Sequence, residues 1–185
     1  MPTTSRPKPR ERLLAAAEEL FYREGVHLGV DRLCEVAGVS KRSMYQHFGG
    51  KDDVVVAALD RRAAVLAERW SVDPTATPRD RILGVFDALQ GEARSPDFHG
   101  CPFVNVATEL KDGDHPAAVA ARGHKLELTA LFGTWAEQAG ARDAAGLAEQ
   151  LTMVFDGACA FAVVRGEVPV AARGAAEALL AAQGI

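Results

Sequence analysis

Val30-Asp31-Arg32-Leu33-Cys34-Glu35-Val36-Ala37-Gly38-Val39-Ser40-Lys41-Arg42-Ser43-Met44-Tyr45-Gln46-His47-Phe48 reads as two short helices separated by a three-residue turn. The first run, Val30 to Ala37, turns Leu33 and Ala37 inward, and a small side chain at 37 lets the two helices cross closely. Gly38 permits the left-handed backbone of the turn. Val39 plugs the space between the helices, and Ser40 can accept a hydrogen bond from the first amides of the second run, Lys41 to Phe48. Two helices joined in this way form a helix-turn-helix. Its second helix presents its N-terminal end to the major groove of DNA. Lys41, Arg42 and Ser43 occupy that end, while Tyr45, His47 and the following Lys51 carry groups able to reach phosphate oxygens. The Ala-Gly-Val-Ser turn alone would suit many helical hairpins, so the rest of the chain has to decide.

Working outward, the pattern remains helical. Leu13, Ala16, Ala17, Leu20 and Phe21 repeat at helical spacing in a first helix, about Pro9 to Glu24, that Gly25 stops. After Gly49-Gly50 a long helix runs from Lys51 to Trp70, with Asp52 and Asp53 in its first turn and Val55, Leu59, Leu66 and Trp70 on its inner face. Further helices are expected at about Pro78–Arg94, Phe103–Lys111, Pro116–Gly140, Ala144–Arg165 and Val170–Gln183. Ser95 to Gly100 and Lys111 to His115 read as loops. Abundant alanine and the lack of long alternating β-branched runs agree with an all-α fold. The expected organisation is a flexible basic arm at 1–9 and a helix-turn-helix domain at 10–52. The helix 51–70 links these to a larger helical domain at 53–185 for ligand binding and dimerisation. The proline-bounded stretch Asp73-Pro74 to Pro78 reads as a linker.

The 185 residues carry a net charge of −4, which by itself argues against a nucleic-acid binder. The distribution is uneven: residues 1–51 hold nine Lys/Arg against six acids, and the remainder twelve against nineteen. A basic head on an acidic body suits a protein that touches phosphate with one end only; surface scatter is the alternative. Three widely spaced cysteines, Cys34, Cys101 and Cys159, suggest neither a disulfide framework nor a zinc pattern. His99, Cys101, His115 and His124 match no standard zinc spacing. There is no secretory segment at the N-terminus. The apolar run Leu151 to Val164 is too short for a bilayer and is interrupted by Asp156. A cytoplasmic protein with no membrane contact is expected.

Residues 12–59 resemble the DNA-binding domain of the TetR family of transcriptional regulators. The resemblance is carried by Arg12-Leu13-Leu14, Ala16-Ala17, Leu20-Phe21, Gly25, Leu33, Ala37-Gly38-Val39-Ser40, Met44-Tyr45, His47-Phe48 and Lys51. It implies that Lys41, Arg42 and Ser43 face base edges and that Tyr45, His47 and Lys51 hold the DNA backbone. Two positions depart from the family pattern. Gly29 stands where Ser or Thr often opens the second helix, and Gly50 where Ser or Asn often precedes the lysine, so two phosphate-binding side chains are missing. Gly100-Cys101-Pro102-Phe103-Val104-Asn105, then Glu109, resembles the C-terminal domain of one TetR subgroup.

The family implies a ligand-responsive repressor that binds an inverted-repeat operator as a homodimer and is released by a small-molecule inducer. The dimer would form through the last two helices, where Ala158, Ala160, Ala162, Ala172, Ala175 and Ala176 allow close approach. The candidate ligand-binding residues are Phe86, Leu89, Phe103, Asn105, Trp135, Met153 and Asp156. Asn105 and Asp156 serve as polar anchors because each sits in an apolar stretch; Asp156 could equally form a structural pair. Cys101 is either a buried structural thiol or a redox sensor, which would make a redox-responsive regulator the alternative function. No cofactor is expected. No catalytic motif is present, which leaves a helical enzyme as the weaker class, and an architectural DNA binder would leave the long acidic body without a task.

Overall fold

The computed structural model describes residues 7–70 and 75–185. Residues 1–6 of the expected arm and 73–74 of the expected linker therefore lie outside the described residues. Among the described residues the chain is helical throughout, with no strand. The elements are α1 (Pro9–Glu24), α2 (Val30–Ala37), α3 (Lys41–His47), α4 (Lys51–Trp70), α5 (Pro78–Glu92), α6 (Pro102–Leu110), α7 (Pro116–Ala139), α8 (Ala144–Arg165) and α9 (Ala171–Gln183).

Helix ends follow local chemistry. Pro opens α1, α5, α6 and α7, where its missing N–H costs nothing. Thr77 and Asp143 accept hydrogen bonds from Asp80 N and Gly146 N at 3.1 and 2.9 Å, capping α5 and α8. The one surprise is His115, whose Nδ1 accepts from Ala117 N at 3.2 Å and caps α7.

Helices α1–α3 enclose a small core of Leu13, Ala17, Leu20, Leu33, Met44 and Phe48. α4 closes it with Val54, Val55 and Leu59, then runs on into the body. There α5, α7, α8 and α9 pack around Ile82, Leu83, Phe86, Phe132, Leu147, Leu151 and Leu180, all nearly inaccessible. Removing such side chains from water stabilises by ~1.5–3 kcal/mol each, so this cluster holds the body together. Phe86 stacks on Phe132 with centroids 6.1 Å apart, and Trp135 meets Phe132 edge-on at 6.4 Å.

α8 is apolar on two faces. Leu147, Leu151, Phe155, Ala158, Cys159 and Ala162 face inward. Met153, Phe161, Val163 and Val164 are exposed, as is Val170 just before α9. By length and composition α8 could cross a membrane, but its inner face is committed to α7 and α9. The alanines expected at a dimer contact divide the same way. Ala158, Ala162, Ala172 and Ala176 are buried within the protomer, while Ala160 and Ala175 are exposed. The small residues therefore serve mainly the α8–α9 contact inside one chain.

Candidate nucleic-acid interface and ligand cavity

The helix-turn-helix forms as its residues dictate. Gly38 adopts φ 59° and ψ 41°, and its N–H and that of Val39 return to the carbonyls of Glu35 and Cys34 at 3.0 Å. Arg12 Nη1 donates to Gly38 O at 2.9 Å, tying the turn to α1. Ser40 Oγ accepts from Ser43 N at 3.2 Å, the expected cap. Met44 and Phe48 anchor α3 in the core, and this leaves Lys41, Arg42, Tyr45, Gln46 and His47 exposed, with Ser43 half-buried. Lys41 Nζ pairs with Asp31 Oδ1 of α2 at 2.5 Å; that hydrogen bond raises its already high pKa.

Lys51 departs from its expected role. Its Nζ donates to Val26 O at 2.7 Å and to Leu28 O at 3.5 Å. The ammonium thus closes the α1–α2 loop onto the start of α4. Sequence pattern alone does not separate the two roles, because both place a lysine at the first position of α4.

Two contacts lock the head to the body. Glu109 of α6 accepts from Val26 N with Oε2 and from His27 N with Oε1, each at 3.0 Å. Gly25 is required beside it: its φ is +86°, and a Cβ there would lie 2.8 Å from both Glu109 oxygens. Tyr22 of α1 donates from Oη to Gly100 O and accepts from His99 N, both at 2.9 Å. Burial raises the Tyr22 phenol above its ordinary value, so it remains a donor.

Between α4, α5, α6, α7 and α8 lies a cavity of about 250 Å³. Trp70, Phe98, Phe103 and Phe155 give it aromatic walls, and Leu66, Leu89, Leu128 and Leu131 aliphatic ones. Arg62 and Glu92 pair at its edge at 3.3 Å. Of the residues expected to bind a ligand, Leu89 and Phe103 line this cavity. The others lie outside it. Phe86 and Trp135 belong to the packed core. Met153 is 66 % exposed on the outer face of α8. Asp156 is outside the lining and pairs with Lys125 Nζ at 2.6 Å. Asn105 is held by a 2.7 Å bond from Nδ2 to His99 O and faces a second cavity of about 260 Å³ between α1, α4 and α6. Cys101 lines the first cavity but is 6 % exposed, and burial pushes its thiol up, which opposes the thiolate a redox sensor needs.

Comparison with known proteins matches residues 13–58 to the model of bacterial regulatory proteins of the tetR family. A TetR transcriptional regulator of known structure from Streptomyces avermitilis is 44 % identical, with a TM-score of 0.91 over 97 % of this chain and 100 % of that one. The chain belongs to the TetR family. A second TetR-family regulator, from Streptomyces coelicolor, is 29 % identical, with a TM-score of 0.87 over 96 % of both chains. Among curated proteins the transcriptional regulator TtgR of Pseudomonas putida is 30 % identical over 115 residues, 55 % of each chain. The chain thus spans about half the length of the curated relatives it matches.

Several cavity-lining residues carry no clear signal in the sequence. The α4 residues Arg62, Ala63, Leu66, Ala67 and Trp70 form one whole wall of the cavity. Their apolar stripe looked sufficient for packing the head, and nothing in the spacing showed that its second half runs beside a void. Lys125 was missed because a lysine on a long helix normally reads as solvated surface.

Proposed function

We propose that the chain is a homodimeric transcriptional repressor that releases its operator when a small molecule fills the α4–α8 cavity. The observation that carries this reading is that α4 serves both ends. Its first residue, Lys51, holds the head loop, and its last two turns wall the cavity. A helix of 20 residues is ~30 Å long, so a pivot of about 5° at one end displaces the other by about 2–3 Å. Recognition helices must stand ~34 Å apart to enter successive major grooves. A ligand that fits better with α4 tilted therefore draws the population away from the DNA-binding form.

The proposed division places the head at 10–52 and the body at 53–185, with the boundary inside α4, and the place of action is the cytoplasm. Ser40 caps the recognition helix, Lys41, Arg42 and Ser43 read bases, and Tyr45 and His47 hold phosphates. The exposed apolar face of α8, together with Val170, supplies the two-fold contact. The Gly100–Asn105 segment, which supports membership of the subgroup it resembles, connects cavity and head. Gly100, Cys101, Pro102 and Phe103 line the cavity, while the backbone at His99 and Gly100 grips Tyr22. Any compound that quenches Trp70 fluorescence should release operator DNA over the same concentration range. Quenching without release would remove the coupling from the proposal.

A further inference from the structure

The charged groups around the α4–α8 cavity are nearly all engaged with one another. His124 is bonded through both ring nitrogens, to Asp60 at 2.9 Å and Glu127 at 3.0 Å. Glu92 carries both Arg62 and Arg69. Lys125 is different. Its side chain is 17 % exposed, its ammonium lies 5.1 Å from the centroid of the Phe155 ring, and it makes one hydrogen bond among the described residues, to Asp156. An ammonium has three N–H donors. Two are left without an acceptor beside Phe155, Cys101 and Cys159, in a chamber whose other charged groups, Arg62, Glu92, His124 and Glu127, pair with one another or with neighbouring side chains. Such donors are costly when dry, and an oxygen offered to them forms a charge-assisted bond.

We propose that this cavity selects an uncharged, flat aromatic molecule bearing a carbonyl-type acceptor oxygen, which Lys125 binds through the donors that Asp156 leaves open. The inference rests on reading the cavity as the ligand site. Size sets the scale: a cavity of ~150 Å³ holds benzene, so about 250 Å³ admits a substituted bicyclic ring. Flatness follows from Trp70, Phe98, Phe103 and Phe155, which offer ring faces and edges on several sides. Neutrality follows from the charges already present. A carboxylate ligand would enter beside Glu92, Glu127 and Asp156, and a cationic one beside Lys125 and Arg62.

Calorimetric titration of the full-length dimer with 2-acetylnaphthalene, 2-ethylnaphthalene and 2-naphthoate tests the assignment. The three share a ring system and differ in offering a neutral acceptor, no acceptor and a charged one. The acetyl compound should bind at least about tenfold more tightly than either of the others. Ala63→Phe, which fills the cavity, should weaken all binding. In the double variant Lys125→Met/Asp156→Leu, which strands neither charge, the acetyl and ethyl compounds should come within about twofold. Equal binding of acetyl and ethyl compounds to the wild-type protein overturns the acceptor assignment and leaves the cavity as a ligand site. No binding of any of the three, or binding indifferent to Ala63→Phe, overturns both readings. The wild-type comparison decides the matter even if the double variant does not fold.

Discussion

Replacing Glu109 by Ala should loosen the head from the body while leaving both folded. The carboxylate is 24 % exposed and accepts from two backbone amides of the α1–α2 loop. Val26 is 2 % exposed, so its N–H has no ready substitute in water. A hydrogen bond to a charged acceptor is worth ~1.5–3 kcal/mol, and an orphaned buried donor costs ~1–3 kcal/mol. His27 is exposed, so its amide and its ion pair with Glu109 contribute little. The expected loss is about 2 kcal/mol for local opening of the loop. That corresponds to a roughly thirtyfold fall in hydrogen-exchange protection at Val26, since ~1.4 kcal/mol is tenfold. Glu109→Gln keeps one acceptor oxygen and should lose about half as much free energy. Operator affinity should persist in both variants, while the effect of a cavity ligand on that affinity shrinks, because the route from α6 to the head is cut. If protection at Val26 falls less than about threefold in Glu109→Ala, the latch is not an energetic link and the reasoning fails.

Further outcomes follow from other contacts. Lys51→Met should cost about 1–2 kcal/mol of stability, through the lost bonds to Val26 O and Leu28 O. It should leave the salt dependence of DNA binding unchanged; a salt slope lowered by about one in Lys51→Met would restore a phosphate contact. Val164→Glu should give a folded monomer in sedimentation at micromolar concentration, because Val164 is 82 % exposed and buries only against a partner. Ala176→Arg should unfold the protomer instead. Burial raises the thiol pKa of both Cys101 and Cys159. A thiol whose pKa is raised on folding favours the folded state only while it is protonated. Stability should therefore hold below the unfolded thiol pKa of ~8.5 and decline above it, and alkylation at neutral pH should be slow until denaturant is added. Fast alkylation of either thiol in the folded protein would contradict this.

Most of the fold was legible because helix signals are local. The Ala37-Gly38-Val39-Ser40 turn, the prolines at helix starts and the apolar stripe of α1 each specify structure within a few residues. Helix bounds accordingly agree with the sequence reading to within one or two positions. The exposed side of α3 was legible for the same reason: Met44 and Phe48 point inward, which sends Lys41, Arg42 and Tyr45 outward. The cavity was not legible, because a void is a property of several helices at once. Phe86 and Trp135 are as aromatic as Phe98 and Phe103, and only the packing of α7 against α5 decides which pair is filled in and which borders space. Asp156, a half-buried carboxylate in an apolar run, signalled the need for a partner, but the lysine that pairs with it lies 31 residues away on α7.

The central claim, that α3 reads operator DNA for a two-fold dimer, is tested most directly by selecting bound duplexes from a random pool with the wild-type protein and with Arg42→Ala. The account predicts an enriched inverted repeat whose half-sites lie about one helical turn apart. It further predicts that Arg42→Ala relaxes preference at one position in each half-site, by ~1–3 kcal/mol of discrimination. An enriched site without two-fold symmetry, or one that Arg42→Ala enriches with undiminished preference, would contradict it.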